Sequence, residues 1–432
     1  MINTELDDEK PFFSIVIPVR NAAKTLNYTL MSCLNQTIKD FEIIIADNAS
    51  TDGTSEMIKD FAQDQIKYSR IPNPLSMTEN WNRALSLSSG KWVIFLGSDD
   101  GLRSRSLQKL KEKIDTNSVL AINWSQAIYT WPNFPDQDNS NKLSIPPITQ
   151  NSTVFSTLDS ANGFFEGEAY GTGTPIYYGA INRKLIELGL QSGPIFQGRS
   201  PDLYSSALFT ALTEKHLYLE DPLTVTGLSA RSNGVANLQH FESTSDIKLE
   251  FAHLNLADRI DFHPGIPDVW IKCAIIWDAL FRVNERTNAF HAQCRRSKAD
   301  ILSKVQAQII ENGYLEANDL AKLQEYILAN NLDFNFPHLV EKPRLVDFLP
   351  LEGKVSKVGL LHLIQTKELF IENIFDACVF LDKVEEVYSL IVMAQSDLEL
   401  RVKLYEEQLM DLKNRLDAAE SPINQEFGAQ VN

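Results

Sequence analysis

The sequence predicts an α/β fold with a mixed, mainly parallel sheet, followed by a mostly α-helical C-terminal region. Three observations predict it. Over the first hundred residues, apolar runs short enough for buried strands alternate with amphipathic segments of helical period. Two of those runs end in acid-bearing loops, Asp47-Asn48-Ala49-Ser50-Thr51-Asp52-Gly53 and Gly97-Ser98-Asp99-Asp100-Gly101. From about residue 241 glycine becomes scarce and helical periodicity takes over.

The elements follow in order. Phe12-Phe13-Ser14-Ile15-Val16-Ile17-Pro18 fits a first buried strand. Residues 22–34 carry Leu26, Leu30 and Leu34 at four-residue spacing, which predicts a helix. Phe41-Glu42-Ile43-Ile44-Ile45-Ala46 predicts a second buried strand, and residues 54–61 a short helix with Asp52 at its start. Residues 66–71 form a weaker strand pattern that Pro72-Asn73-Pro74 breaks. Residues 78–87 predict a helix stopped before Gly90, and Trp92-Val93-Ile94-Phe95-Leu96 a fourth strand. Strands alternating with helices predict crossover connections, and sheets of that kind bind ligands at the carboxyl ends of their strands. Chain order therefore brings Asp47, Asp52, Asp99 and Asp100 toward one rim.

Residues 133–160 are polar and proline-rich and read as loop. Residues 269–282 and 299–312 read as amphipathic helices. Further on, Val387, Ile391, Ala394, Leu398, Val402, Tyr405, Leu409, Leu412 and Leu416 recur at spacings of three and four, a heptad-like seam with one stutter. Two readings of the seam compete: a helix packed on its own domain, and a homo-oligomer held through residues 387–416. The expected division is residues 1–240, a helical domain 241–385, an amphipathic coiled-coil-like helix 386–420, and a disordered tail 421–432.

Composition removes several classes. The formal net charge is −17, so no sequence-wide basic field draws in nucleic acid, although an anionic ligand held through a metal or a local cluster is compatible with it. The four cysteines, Cys33, Cys273, Cys294 and Cys378, are too sparse for a disulfide framework and sit at no metal-ligand spacing. Met1 to Lys10 is polar and acidic, unlike a signal peptide, and no run approaches the roughly 18 apolar residues of a membrane span. The expectation is a cytoplasmic protein, with peripheral contact at the inner face of the membrane compatible with it. The seven histidines include no pair at zinc spacing, and neither a Gly-x-x-x-x-Gly-Lys loop nor a Gly-x-Gly-x-x-Gly turn is present.

Asp99-Asp100 is the sharpest chemical feature. Hard cations such as Mg²⁺ and Mn²⁺ take oxygen ligands and bridge one or two carboxylates to substrate phosphates. An acidic pair just after a buried strand suits that task. Asp47, at the end of the second strand, suits a hydrogen bond from a base N–H or an Asx turn.

Ser14-Ile15-Val16-Ile17-Pro18-Val19-Arg20-Asn21, then Asp47-Asn48-Ala49-Ser50-Thr51-Asp52-Gly53-Thr54, then Gly97-Ser98-Asp99-Asp100 resemble the successive motifs of family 2 glycosyltransferases, enzymes of the GT-A nucleotide-sugar-binding fold. The likeness is specific over residues 12–105 and weaker to about 235. It implies a nucleotide-sugar donor, commonly a UDP-sugar, and a Mn²⁺ or Mg²⁺ cofactor. Pro18 and Val19 would line the nucleotide pocket, Asp47 would bind the base, Asp99 would contact the ribose, and Asp100 would coordinate the metal. Two departures stand out. Asn48 replaces the second acid of an Asp-Asp-Gly-Ser pattern, and Gly97 replaces the first acid of an Asp-x-Asp-Asp pattern.

The family also uses a carboxylate as general base on the acceptor hydroxyl, attacking the anomeric carbon opposite the phosphate. Asp202, in Ser200-Pro201-Asp202-Leu203-Tyr204, lies in the matching region, with Glu166, Glu168 and Asp221 as competitors. Arg231 would balance diphosphate charge, its fork suiting phosphate oxygens. His240 is a weaker candidate for acceptor contact. No Gln-x-x-Arg-Trp motif is present, which favours a non-processive enzyme acting on a glycan or glycolipid hydroxyl, with a β product from an α-linked donor. A nucleotidyltransferase reading lacks its glycine-rich loop after the first strand. A degenerate transferase domain serving as a scaffold, assembled through the C-terminal helices, draws support from the two lost acids.

Overall fold

The computed structural model describes residues 10–61, 63–157, 161, 173–238, 245–290, 294–312, 317–334, 362–365, 371–387, 389, 407 and 410. The chain divides into two compact units, Met1–Val379 and Phe380–Asn432.

The first unit is built on a mixed sheet. Its parallel part comes from the N-terminal third: β1 (Phe13–Val19), β2 (Phe41–Asp47), β3 (Ile66–Arg70) and β4 (Trp92–Phe95) lie in the order β4-β1-β2-β3. Every residue of β2 and β4 is buried, as expected of strands covered on both faces. β3 closes the edge and is largely exposed. The sheet continues through β5 (Gly101–Leu102), β6 (Ala121–Thr130), β7 (Lys142–Ile145), β8 (Ser152–Ser156), β9 (Gly179–Asn182), β10 (Lys215–Leu228) and β11 (His362–Gln365). β9 runs antiparallel to both β4 and β6, and β10 runs parallel to β6. That sequence of pairings turns the C-terminal end of β10 to the same rim as the ends of β1, β2 and β4.

Alternate side chains of the strands feed two cores. Ile15, Ile17, Ile43, Ile45 and Ile94 face α1 (Leu26–Leu34) and α4 (Ser106–Thr116). Val16, Ile44, Ala46, Val93 and Phe95 face the other way, toward Trp81, Ala84 and Leu85 of α3 (Met77–Ser86). The second core also receives α5 (Arg183–Leu190) and α6 (Pro201–Leu212). Period-two alternation in the strands, with four-residue spacing in the helices, produces this layering.

Several boundaries differ from expectation. The helix predicted from residue 22 begins at Leu26, because Asn21 takes a φ of 53° and residues 23–25 form a turn. The segment 133–160, expected as loop, supplies β7 and β8. β8 is exposed throughout and short, so it leaves little periodic signal. α2 (Thr54–Ile58) has Gly53, not Asp52, at its N-cap, with a φ of 92° that suits a residue without Cβ.

The helical series then runs through α7 (Asn233–Leu238), α8 (Ser245–Ala257), α9 (Lys272–Thr287), α10 (Lys298–Asn312) and α11 (Ala317–Ala329). Residues of α9 and α10 join the core that contains α6. α8 and the residue after it are tied to the sheet domain by Arg20, which pairs with Glu250, and by the Ser76 amide, which donates to Asp258 Oδ2 at 2.6 Å. Among the described residues no disulfide joins the four cysteines, and no helix is long and apolar enough to cross a membrane. In the second unit residues 380–387 are helical. The heptad positions from Ile391 to Leu416 lie outside the described residues.

Candidate functional site

A cavity of about 390 Å³ opens where the strand ends meet. Its wall combines the end of β1 (Pro18, Val19, Arg20), the loop after β4 (Gly97, Ser98, Asp99), the start of α6 (Asp202, Leu203) and the end of β10 with its loop (Gly227, Arg231). One stripe of α8, Ile247, Glu250, Phe251 and Leu254, closes the far side. Their spacing of three, one and three places them on a single helical face. The resemblance singled out Pro18, Val19, Asp99, Asp202 and Arg231, and all five meet here.

Asp99 reaches the cavity with its carboxylate half-buried, and its Oδ2 accepts the Ser229 hydroxyl at 2.6 Å. Burial, and then the neighbouring Asp100 charge, push its pKa up to about 7. Asp100 lies behind it, fully buried. Its Oδ2 accepts from the Tyr177 hydroxyl at 2.7 Å, the Gly97 amide at 2.9 Å and the Tyr178 hydroxyl at 3.0 Å. Its Oδ1 accepts the Gly227 amide at 2.7 Å. Burial raises the Asp100 pKa, and these donors partly offset it.

This arrangement explains Gly97. A Cβ there would lie 2.5 Å from both Asp100 Oδ2 and the Tyr177 hydroxyl, so the position of the missing first acid is filled by a tyrosine. Gly227 is equally constrained: a Cβ would meet the Asp99 carbonyl oxygen at 1.8 Å. Tyr178 holds a φ of 60°, which turns its ring toward Tyr177, and Trp81 stacks on Tyr177 with ring centroids 5.5 Å apart.

Asp47 is fully buried and does not line the cavity. Its Oδ1 caps the Ser50 amide at 2.9 Å in an Asx turn, and its Oδ2 accepts the Tyr68 hydroxyl at 2.7 Å, with Arg70 Nε 3.5 Å away. A base contact through Asp47 requires Tyr68 or Arg70 to give way. Asn48 does line the cavity, and its amide exchanges two hydrogen bonds of 2.8 Å with the backbone of Leu75, donating one and accepting the other. A carboxylate at this position could accept but not donate, which is a local reason for asparagine in place of the acid. Asp52 is structural: its two oxygens hold the Thr54 side chain and the Ala23 amide.

Asp202 occupies the first turn of α6, after Ser200 at the N-cap and Pro201. Its carboxylate has no side-chain partner among the described residues and borders the cavity. Burial raises its pKa, with the Leu203 backbone N–H partly opposing. Among its competitors, Asp221 is spent on Arg103 at 3.2 Å and on Lys109, and does not line the cavity. Glu166, Glu168 and His240 lie outside the described residues.

Among the described residues no three His, Cys, Asp or Glu side chains converge as a metal site. The donor set is the acidic pair. Two adjacent buried carboxylates that repel each other fit a divalent cation that takes its remaining ligands from phosphate and water. Asp99 offers the open oxygen. Asp100 would exchange a tyrosine hydroxyl to join it.

Several lining residues carried no functional reading in the sequence, among them Arg20, Trp81, Tyr177, Tyr178 and Glu250. Arg20 was legible in principle, as it stands between Val19 and Asn21 at a strand end. Glu250 was not, being 230 positions from the arginine it pairs with.

Residues 14–167 match the family described as Glycosyl transferase family 2. The chain is 37% identical over 94 residues to a PGL/p-HBAD biosynthesis glycosyltransferase of Mycobacterium bovis, a match covering 21% of this chain and 37% of that protein. It is 31% identical over 138 residues to a cholesterol galactosyltransferase of Borreliella burgdorferi, covering 28% and 38%. The chain thus spans less than two fifths of the length of these relatives. Among solved structures, S. aureus TarS 1-349 in complex with UDP aligns with a TM-score of 0.41 and 17% identity, covering 73% of this chain and 82% of that one. The likeness to glycosyl transferase family 2 is therefore carried by residues 14–167, a little over a third of the chain.

Proposed function

We propose that the chain is an inverting, metal-dependent glycosyltransferase that moves a sugar from a nucleotide-sugar donor, a UDP-sugar, to a hydroxyl of a glycan or glycolipid acceptor. The observation that carries this reading is the meeting of two acids of different character on one cavity. Asp99 borders it at the strand-end rim and Asp202 borders it from the start of α6.

The roles are those the resemblance implies, set on the cavity described above. Pro18 and Val19 form the floor under the nucleotide. Asp47 orients the base once Tyr68 yields, and Asp99 contacts the ribose. Asp100, with Asp99 beside it, would hold a divalent cation, which when bound would supply charge neutralisation for the departing diphosphate. Arg231 adds positive charge from the loop after β10. Asp202 accepts the proton of the acceptor hydroxyl as that oxygen bonds to the anomeric carbon and the bond to the diphosphate breaks. Attack opposite the leaving group turns an α-linked donor into a β product. Burial suits Asp202 to this task, since a carboxylate of raised pKa is a stronger base. The acceptor statement rests on the family resemblance, and the name of the cholesterol galactosyltransferase relative is compatible with a lipid acceptor.

Incubation with Mn²⁺, a panel of UDP-sugars and hydroxyl acceptors should release nucleoside diphosphate with one donor. Release of pyrophosphate instead would assign the site to nucleotidyl transfer. Nucleotide binding without any release would favour a scaffold.

A further inference from the structure

Two arginines from opposite sides of the cavity converge on one glutamate. Arg20, at the end of β1, donates to Glu250 Oε1 from Nε at 3.0 Å and from Nη2 at 2.5 Å. Its Nη1 is fixed by the carbonyl oxygens of Asn48 at 2.5 Å and Ala49 at 3.1 Å. Arg231, after β10, places its Nη2 4.0 Å from Glu250 Oε2. All three side chains line the cavity and are partly exposed, Arg20 at 22%, Glu250 at 34% and Arg231 at 49%. Glu250 comes from α8, outside the segment that matches the family. The Arg231 amide also donates to Ser229 Oγ at 3.3 Å, and that hydroxyl holds Asp99.

We propose that Glu250 is a built-in competitor for the ligand's diphosphate, and that Arg20 joins Arg231 as the second guanidinium of the diphosphate subsite. This rests on the nucleotide-sugar reading above. A guanidinium fork prefers anions with several oxygens in one plane, and a diphosphate offers more charge and more such edges than one carboxylate. Glu250 neutralises the two arginines while the cavity holds no anion, and it is what a diphosphate must displace. Nothing covalent changes. Arg20 keeps its anchor on Asn48 and Ala49, so the fork stays at the rim while its partner is exchanged. The exchange also releases the Arg20–Glu250 pair that ties α8 to the end of β1. The competition makes the subsite selective for ligands of high negative charge density, because a neutral or singly charged ligand gains too little to break both arginine contacts.

The test is calorimetric titration of the full chain with UDP, with inorganic pyrophosphate and with uridine, for wild type and for Glu250→Gln. The charge-neutral variant should bind UDP and pyrophosphate about threefold to tenfold more tightly, as expected for removing a partly exposed pair of contacts. Uridine affinity should not move. Combining Glu250→Gln with Arg20→Gln should cancel the gain. Glu250→Asp, which withdraws the charge by one methylene and disturbs packing less, should show a smaller gain in the same direction. Pyrophosphate binding no tighter in either folded single variant overturns the proposal, even with UDP-sugar transfer intact. If pyrophosphate tightens while UDP binds no variant, the competition stands and the nucleotide reading falls.

Discussion

The two sides of the cavity hold their acids in opposite ways. On the strand-end side, Asp47 and Asp100 are enclosed: Asp100 accepts four hydrogen bonds and Asp47 accepts two with an arginine alongside. On the side built from α6 and α8, Asp202 has backbone contacts alone, and Glu250 is held by side chains that can turn away. Enclosed acids give a fixed frame, since their donors would be left unpaired by any movement. Loosely held acids can change partners. The difference gives the first side acids that a ligand reaches only by displacing a tyrosine hydroxyl and the second side acids that are already exchangeable, and each variant below probes one side.

The largest effect belongs to the reactive side. Asp202→Asn should lower kcat by about 10²- to 10⁴-fold, the usual weight of a general base, with nucleotide-sugar affinity preserved. A base acts in its deprotonated form, so a pKa raised by burial means that kcat/KM falls as pH drops through that value. The variant should lose this acidic limb. A profile with the limb intact in Asp202→Asn would move the base elsewhere.

Next comes the frame. Gly97→Ala must push Tyr177 or Asp100 aside, because two oxygens stand 2.5 Å from the new Cβ. Thermal melting should show a loss of about 1 to 3 kcal/mol, typical of overpacking. Tolerance of alanine would mean that the tyrosine clamp is slack. Asn48→Asp should cost less, about 1 kcal/mol, since one donated hydrogen bond to Leu75 is lost while the accepted one remains. An unchanged melting temperature would show that the donated bond is not what favours asparagine over the acid.

The same contrast describes what the sequence disclosed. β1, β2 and β4 were legible because central parallel strands are continuous apolar runs, and the acids at their ends follow from chain order. Asp202 borders the cavity, while its neighbours there were hidden from the sequence. β7 escaped notice because it is only four residues long and ends at a pair of prolines, and β8 because it is exposed throughout. The tie between Arg20 and Glu250 joins residues too distant for any local pattern to link. The clamp on Asp100 depends on Tyr177 and Tyr178 arriving from beyond β8, and only the absence of an acid at Gly97 hinted that something else fills that space.

Everything proposed for the cavity depends on the strand-end rim binding a nucleotide diphosphate together with a divalent cation. Thermal stability measured with UDP and UDP-sugars, with and without Mn²⁺, reads this binding without requiring turnover, because a ligand bound only by the folded state raises stability with its concentration over Kd. The expected result is a Mn²⁺-dependent rise for wild type that Asp99→Asn and Asp100→Asn each diminish. No rise with any nucleotide, or an equal rise in both variants, would contradict it.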